Sequence, residues 1–251
     1  MNPIVDLLQS HRSIRRFKDQ PLVEGVLDKL IQAGQSASTS SYIQATTVVR
    51  ITDKSVRQKF VELTGNQKYV GTAAEFLVFC ADFNRNYERI NCLNGSLDQQ
   101  GLDFGWAEQF ISATVDVALF AQNVVIAAEG LGLGCCYIGG VRNDSDQVTS
   151  LLELPKRVYP VFGLCIGVPD QSPAPKPRLP VNVVLHQDKY QLSDNDHVLI
   201  DIYDTHVKEY YRQRTKGRLV QTWSEQMLTQ SSSETRSYLR DFLINQGFNN
   251  K

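Results

Sequence analysis

The sequence predicts a layered α+β (α/β) domain, and three observations carry that expectation. Four runs rich in β-branched, aromatic or apolar residues read as strands: "TTVVRI", "EFLVFCADF", "CCYIGG" and "VYPVFGLCIGV". Helical patterns separate them. One of these, "WAEQFISATVDVALFAQNVVIAAEGLG", is apolar nearly all round for about seven turns, which suits a helix buried in the middle of a core.

Val23, Val26, Leu27, Leu30 and Ile31 recur at helical spacing after Pro21 and predict an amphipathic helix ahead of the first strand. "SVRQKFVELTG" predicts a polar-faced helix between the first two strands. From Asn84 to Gly105 the chain is polar and aperiodic, which reads as a surface loop or lid. The long apolar helix stops at Gly130 and Gly132, and Asp144 or Ser145 signals a helix between the last two strands. After Pro180 come a helix ending in "VKEYYRQR", a polar stretch with Lys216 and Arg218, and an amphipathic helix near "TRSYLRDFLINQ". This tail shows no obvious core of its own. The expected organisation is one domain over 1–251, with a C-terminal extension from about 181 to 251 that packs across the body or onto a second subunit.

The 251 residues are 42% hydrophobic and 21% charged, with a formal net charge of -1, so one large domain can bury most of its unfolded surface. A near-neutral balance gives no electrostatic reason to expect nucleic acid or an anionic membrane as partner. The start, "MNPIVDLLQSHR", has no cationic lead into an apolar core. The most apolar run, Val117 to Ala128, is interrupted by Gln122 and Asn123. A cytoplasmic protein is expected. Cys80, Cys92, Cys135, Cys136 and Cys165 form no C-x-x-C and have no histidine at ligand spacing, so they read as core filler rather than disulfides or a metal site.

"GLGLGCCYIGG" contains no G-x-G-x-x-G and follows a helix, where a dinucleotide fingerprint follows a strand. Walker A, H-E-x-x-H and G-x-S-x-G are also missing. What stands out is "HRSIRRF", residues 11–17. An extended backbone there puts His11, Ser13 and Arg15 on one face and Ile14 on the other, whereas a helix stacks His11 on Arg15. Either way several donors converge, and arginine's planar fork suits phosphate; the plain alternative is a solvated basic turn. "PAPKPRLP" presents a second pair, Lys176 and Arg178, on proline-stiffened backbone, or is only a stiff surface loop. Two such pairs in a near-neutral chain favour a phosphorylated ligand.

"SASTSSYIQA" offers Ser36, Ser38, Thr39, Ser40, Ser41 and Gln44, uncharged donors and acceptors for a heterocycle, or simply a serine-rich cap. "YIGG" lets backbone approach a flat ligand at Gly139 and Gly140, or forms a turn. His186, His197 and His206 have no chemical companions, and Asp103, Glu108, Asp116 and Glu129 have no paired-carboxylate spacing.

Taken together, "HRSIRRF", "STSSYIQ", "TGNQKYV", "FLVFCADF", "YIGGVRN", "KPRLP" and "EYYRQR" resemble, in order from about residue 3 to residue 247, the oxygen-insensitive NADPH nitroreductase and NADPH-dependent flavin reductase group of the nitroreductase superfamily. The resemblance implies a mixed sheet with surrounding helices and a central buried helix, in an intertwined homodimer with FMN at the interface. His11, Arg12, Ser13 and Arg15 match residues that hold the FMN phosphate and ribityl chain, and Lys176 and Arg178 match a second cationic pair. Ser38, Thr39, Ser40, Gln67, Tyr137, Ile138, Gly139 and Gly140 match positions around the rest of the flavin. Arg214 matches an arginine associated with the NADPH 2'-phosphate, with Arg218 in the same polar stretch. Ser41, Arg142 and Arg236 match the nicotinamide or acceptor side. The chain departs from the family pattern in three places: Thr39 stands in what is usually a run of serines, Tyr69 stands where a histidine often appears, and the stretch 84–105 is longer than usual.

The activity implied is ping-pong hydride transfer from NADPH through bound FMN to nitroaromatics, quinones or free flavin, with the hard chemistry on the cofactor. No nucleophile or metal is then required of the protein. The alternative is a flavin-binding storage or sensing protein without productive turnover.

Overall fold

The computed structural model describes residues 2–94, 104–232 and 234–248. In chain order the elements are α1 (Pro3–Gln9), α2 (Val26–Gln35), β1 (Thr46–Arg50), α3 (Lys54–Leu63), α4 (Tyr69–Thr72), β2 (Glu75–Asp82), α5 (Asn84–Asn94), α6 (Ala107–Gly130), β3 (Gly134–Ile138), α7 (Ser145–Leu151), β4 (Val158–Gly167), α8 (Val181–Val184), α9 (Asp194–Arg214), α10 (Trp223–Ser231) and α11 (Leu239–Gln246). The chain divides into two compact units, one of Met1–Ser172 with Arg236–Lys251 and one of Pro173–Thr235.

In the first unit the strands form one sheet in the order β1-β2-β4-β3, antiparallel in every ladder among the described residues. Pairing is mixed only at its margin, where Ser13 makes a single parallel bridge to Cys135. Side chains on β2 alternate between two cores. Leu77, Phe79 and Ala81 join α2, α6 and α11 on one face, through Leu30, Val117, Ala121, Val124, Val125 and Phe242. Phe76, Val78 and Cys80 join Phe60, Val70 and Val148 of α3, α4 and α7 on the other. Because both faces are covered, the strand reads as an unbroken apolar run rather than an alternation, and the unit is a helix–sheet–helix sandwich.

α6 is long and apolar enough in composition to cross a membrane. Here it is the core helix, with Ala113, Val117, Ala121, Val124, Val125 and Ala128 fully buried.

Two expectations need correction. Residues 84–94 are the helix α5, not a loop; the remainder of the expected lid, apart from Phe104 and Gly105, lies outside the described residues. Asp82 caps α5 by accepting from the Arg85 N–H at 3.1 Å, and its half-buried positions carry Asn84, Asn86, Tyr87 and Asn91 with a single aliphatic residue, Ile90, so no aliphatic period marks it. Cys92 is exposed on this helix, whereas the other four cysteines are buried. Within the C-terminal extension, α11 belongs to the first unit, where Phe242, Leu243 and Phe248 are buried in the first core, and the second unit spans Pro173–Thr235.

The second unit comprises α8, α9 and α10. Ser193 and Asp196 form a capping box at the start of α9, and Thr222 and Glu225 form another at the start of α10. Tyr203 packs edge-on against Trp223, ring centroids 6.1 Å apart.

Candidate functional site

Residues 11–17 run extended along β3. The Ile14 N–H donates to the Cys135 carbonyl at 2.8 Å, and Phe17 bridges to Pro169. Ile14 (5% exposed) and Phe17 (8%) are sunk in the second core. This approach needs glycine at 134, where a Cβ would lie 2.6 Å from Ile14 Cγ1. Of the two geometries open to this stretch, the extended one holds, and Ser13 and Arg15 face away from Ile14.

The cations of the segment are divided among different surroundings. His11 Nδ1 lies 2.7 Å from the Glu129 carboxylate in the last turn of α6. Arg12 lines a cleft of about 450 Å³ with Ser10, Glu129 and Asp170. Arg15 lines another, of about 780 Å³, with Arg57, Lys68 and Tyr69. Burial pushes the Tyr69 phenol up, and Arg15, within hydrogen-bonding reach, opposes that. Arg16 is tied internally to Asp170, Nε to Oδ2 at 2.9 Å. Arg57, which sequence reasoning passed over, donates to the carbonyls of Val70 at 2.8 Å and Ala73 at 2.6 Å and so closes the end of α4.

The serine-rich segment becomes a loop with a short 3-10 turn at Ser40–Tyr42. Ser41 (φ 48°), Tyr42 (φ 57°) and Gln44 (φ 56°) all sit in the left-handed region, at a cost of roughly 1 kcal/mol or more each. The Ser40 N–H donates to Asp116 Oδ1 of α6 at 2.9 Å. Ser38 and Ser41 are exposed. Among the described residues five buried side-chain atoms, Thr39 Oγ1, Gln67 Oε1, Asn86 Oδ1, Gln109 Oε1 and Thr149 Oγ1, have no hydrogen-bond partner. Such atoms call for a partner from outside the chain.

At the end of β3 the structure brings together residues far apart in sequence. A third cleft, of about 370 Å³, is lined by Ala118, Gln122, Tyr137, Gly139, Arg142 and Phe162. The Tyr137 ring meets Phe162 edge-on at 5.1 Å, and its hydroxyl donates to Gln122 at 3.4 Å. Arg142 donates to the Val161 carbonyl; burial, and then the neighbouring Arg236, lower its pKa. Arg236 donates to Asn143 Oδ1 at 2.9 Å and to the Gly139 carbonyl at 3.4 Å. Gln122 was visible in the sequence only as an interruption of an apolar run. The Ile138 side chain is fully buried in the second core, leaving only its backbone for a ligand. Gly140 is required by packing, since a Cβ would lie 2.9 Å from Thr64 Cα.

In the second unit the Lys176 ammonium stands 5.1 Å from the centre of the Tyr211 ring. Arg178 lies close enough to Tyr203 to oppose the upward push that burial gives its phenol. Arg214, in the last turn of α9, donates to the Tyr210 hydroxyl at 2.6 Å. Arg218 donates to the Thr215 carbonyl at 3.2 Å in the turn that follows.

Residues 8–168 match the model of the nitroreductase family, and residues 176–251 match that of the nitroreductase family C-terminal domain. The chain is 44% identical over 248 residues to an oxygen-insensitive NADPH nitroreductase of Salmonella typhimurium, covering 99% of each protein. It is 41% identical over 251 residues to an FMN reductase (NADPH) of Bacillus subtilis, again covering 99% of each. Among solved structures, an NADPH:FMN oxidoreductase from Vibrio harveyi, complexed with NAD+, superimposes with a TM-score of 0.88 at 37% identity over 100% of both chains. With a family model spanning most of its length and full-length relatives at this identity, the chain belongs to the nitroreductase family.

Proposed function

We infer that this protein is an NADPH-dependent oxidoreductase that uses bound FMN to reduce nitroaromatics, quinones or free flavin. The observation that carries the reading is that two of the five buried, unpartnered atoms, Thr39 Oγ1 and Gln67 Oε1, fall at positions that the family resemblance sets around a flavin ring. A flavin's N3–H can donate to Gln67 Oε1 and its carbonyls and ring nitrogens can accept from the Thr39 hydroxyl, while His11, Arg12 and Arg15 offer the charge its phosphate needs. The residues present therefore fit FMN. When bound, it supplies the two-electron chemistry between NADPH and the oxidised acceptor.

The chain's own part is binding and electrostatics. His11, Arg12, Ser13 and Arg15 hold the phosphate and ribityl chain, and Lys176 and Arg178 of the second unit match the family's second cationic pair. Ser38, Thr39, Ser40 and Gln67, with the backbone from Tyr137 to Gly140, orient the ring. Arg142 and Arg236, beside Gly139, set positive charge on the acceptor side, where Ser41 also contributes. Arg214 and Arg218 recognise the 2'-phosphate of NADPH. A storage or sensing role finds no support among the relatives named above. The reading includes a cytoplasmic homodimer. Ile111, Val115 and Leu119 leave an exposed apolar stripe along α6 of the kind that marks an interface, and sedimentation should give one species near twice the 28.3 kDa chain mass.

Mixing with NADPH in the absence of oxygen tests the reading, because turnover bleaches the yellow flavin and storage leaves it coloured. In Arg214→Ala, loss of one charge-assisted contact worth about 1.5 to 3 kcal/mol should cut kcat/KM for NADPH by about 10- to 150-fold. The value for NADH should barely move. An equal loss for both coenzymes would make Arg214 structural.

A further inference from the structure

Asp116 is a carboxylate in the wrong place for stability. It is 3% exposed on α6, flanked along the helix by the fully buried Ala113 and Val117. Among the described residues no lysine, arginine or histidine forms an ion pair with it. Burial pushes its carboxyl pKa up, with the Ser40 N–H pulling the other way. An uncharged residue would sit there at lower cost.

What Asp116 does have is a grip on the loop carrying Ser38–Ser41, through the Ser40 amide at 2.9 Å. That bond ties the first half of the loop to α6. The second half is tied to α5, where Asn86 donates to the Ile43 carbonyl at 3.3 Å and Arg85 to the Gln44 carbonyl at 3.4 Å. Between the two ties lie the left-handed Ser41 and Tyr42, the latter 82% exposed, so its side chain gains little from packing that would hold the turn. Strained non-glycine backbone persists where its surroundings over-determine it, and it clusters at ligand-binding sites. Beside the tied amide is the unpartnered Thr39 Oγ1.

We propose that Asp116 is a positioning residue for the ring end of the flavin: by holding the Ser40 amide it fixes the Ser41–Tyr42 turn and sets the polar groups of residues 38–41 against the ring. The inference rests on the FMN reading above and adds to it a residue outside the contact set. Asp116 acts through the loop and takes no part in phosphate recognition.

Riboflavin, which has the flavin ring but no phosphate, separates the two ends of the ligand. Dissociation constants for FMN and riboflavin are measured by flavin fluorescence on the full-length protein stripped of cofactor. The variants are Asp116→Ala, Asp116→Leu (which removes the acceptor while filling the space), Asp116→Asn and Arg15→Ala. Ala and Leu should weaken FMN and riboflavin by a common factor of about five or more, leaving their ratio unchanged. Asn, which keeps an acceptor oxygen, should stay within about twofold of the parent. Arg15→Ala should weaken FMN alone.

Hydrogen exchange without flavin should show residues 38–44 opening faster in the Ala and Leu variants, while β2 and β4 keep their protection. Unchanged affinities, a loss for FMN alone, an Asn variant as weak as Ala, or global unfolding of both truncations would overturn the proposal. A parent that binds neither flavin would refute the FMN reading and with it the ligand role. The exchange comparison would then judge the grip of Asp116 on the loop by itself.

Discussion

Segment 11–17 and loop 38–44 both offer polar groups to a ligand, yet they are held by opposite means. The segment is anchored by apolar side chains. Ile14 and Phe17 sink into the second core, a backbone bond joins Ile14 to Cys135, and the intervening Arg15 and Arg16 are exposed. The loop buries little of itself and keeps its shape through the bond its Ser40 N–H donates to Asp116 and the two that its Ile43 and Gln44 carbonyls accept from Asn86 and Arg85, against left-handed backbone. Charged donors therefore stand on a rigid rail, and uncharged ones on a strained hook. The difference teaches that affinity for the phosphate end should depend on core packing, and affinity for the ring end on single polar contacts.

The largest effect should come from removing the anchor of the segment. Phe17→Ala deletes a buried ring and should cost about 3 to 5 kcal/mol, a large share of the roughly 5 to 15 kcal/mol that holds a domain together. A denaturant midpoint measures it. A loss below about 1 kcal/mol would show that the rail does not depend on its core contacts.

Arg15→Ala comes next, since the rail itself should survive it. FMN affinity should fall at least about tenfold by equilibrium dialysis, from loss of a charge-assisted contact of about 1.5 to 3 kcal/mol, with thermal stability nearly unchanged. Affinity within a factor of two of the parent would misplace the phosphate.

The smallest effect concerns the hook. Asp116 has a carboxyl pKa raised in the folded protein, so the folded state holds its proton more tightly than the unfolded chain does. Its contribution to stability is then least favourable at neutral pH and improves as pH falls through the folded pKa. Asp116→Asn removes that penalty. Its Tm should lie slightly above the parent's at pH 7, and the gap should close as pH falls below the ordinary aspartate range. A gap that widens in acid would mean that the carboxylate is held by a favourable charge not accounted for here.

The strands and the longer helices were legible because their signals are local. β2 shows as an apolar run, α2 by its spacing, α6 by its apolar length, and α7 by the cap at Asp144, which accepts from the Gln147 N–H at 2.9 Å. α5 was hidden because asparagines and a tyrosine make up part of its inward face. α1, of seven residues, and α10 were too short to declare a period.

The sequence by itself determined the layered fold, the clusters of donors and, through ordered motifs, the family, because strand and helix periods and residue chemistry are written within a few residues of one another. Only the tertiary structure decided which of those groups meet. It turned residues 11–17 extended, tied Arg16 to Asp170, and brought Gly140 against Thr64. It also set Arg236 beside Gly139 and Arg142, across more than ninety residues of chain. Such meetings depend on how helices stack on the two faces of the sheet, and that packing is a long-range property that no local pattern encodes.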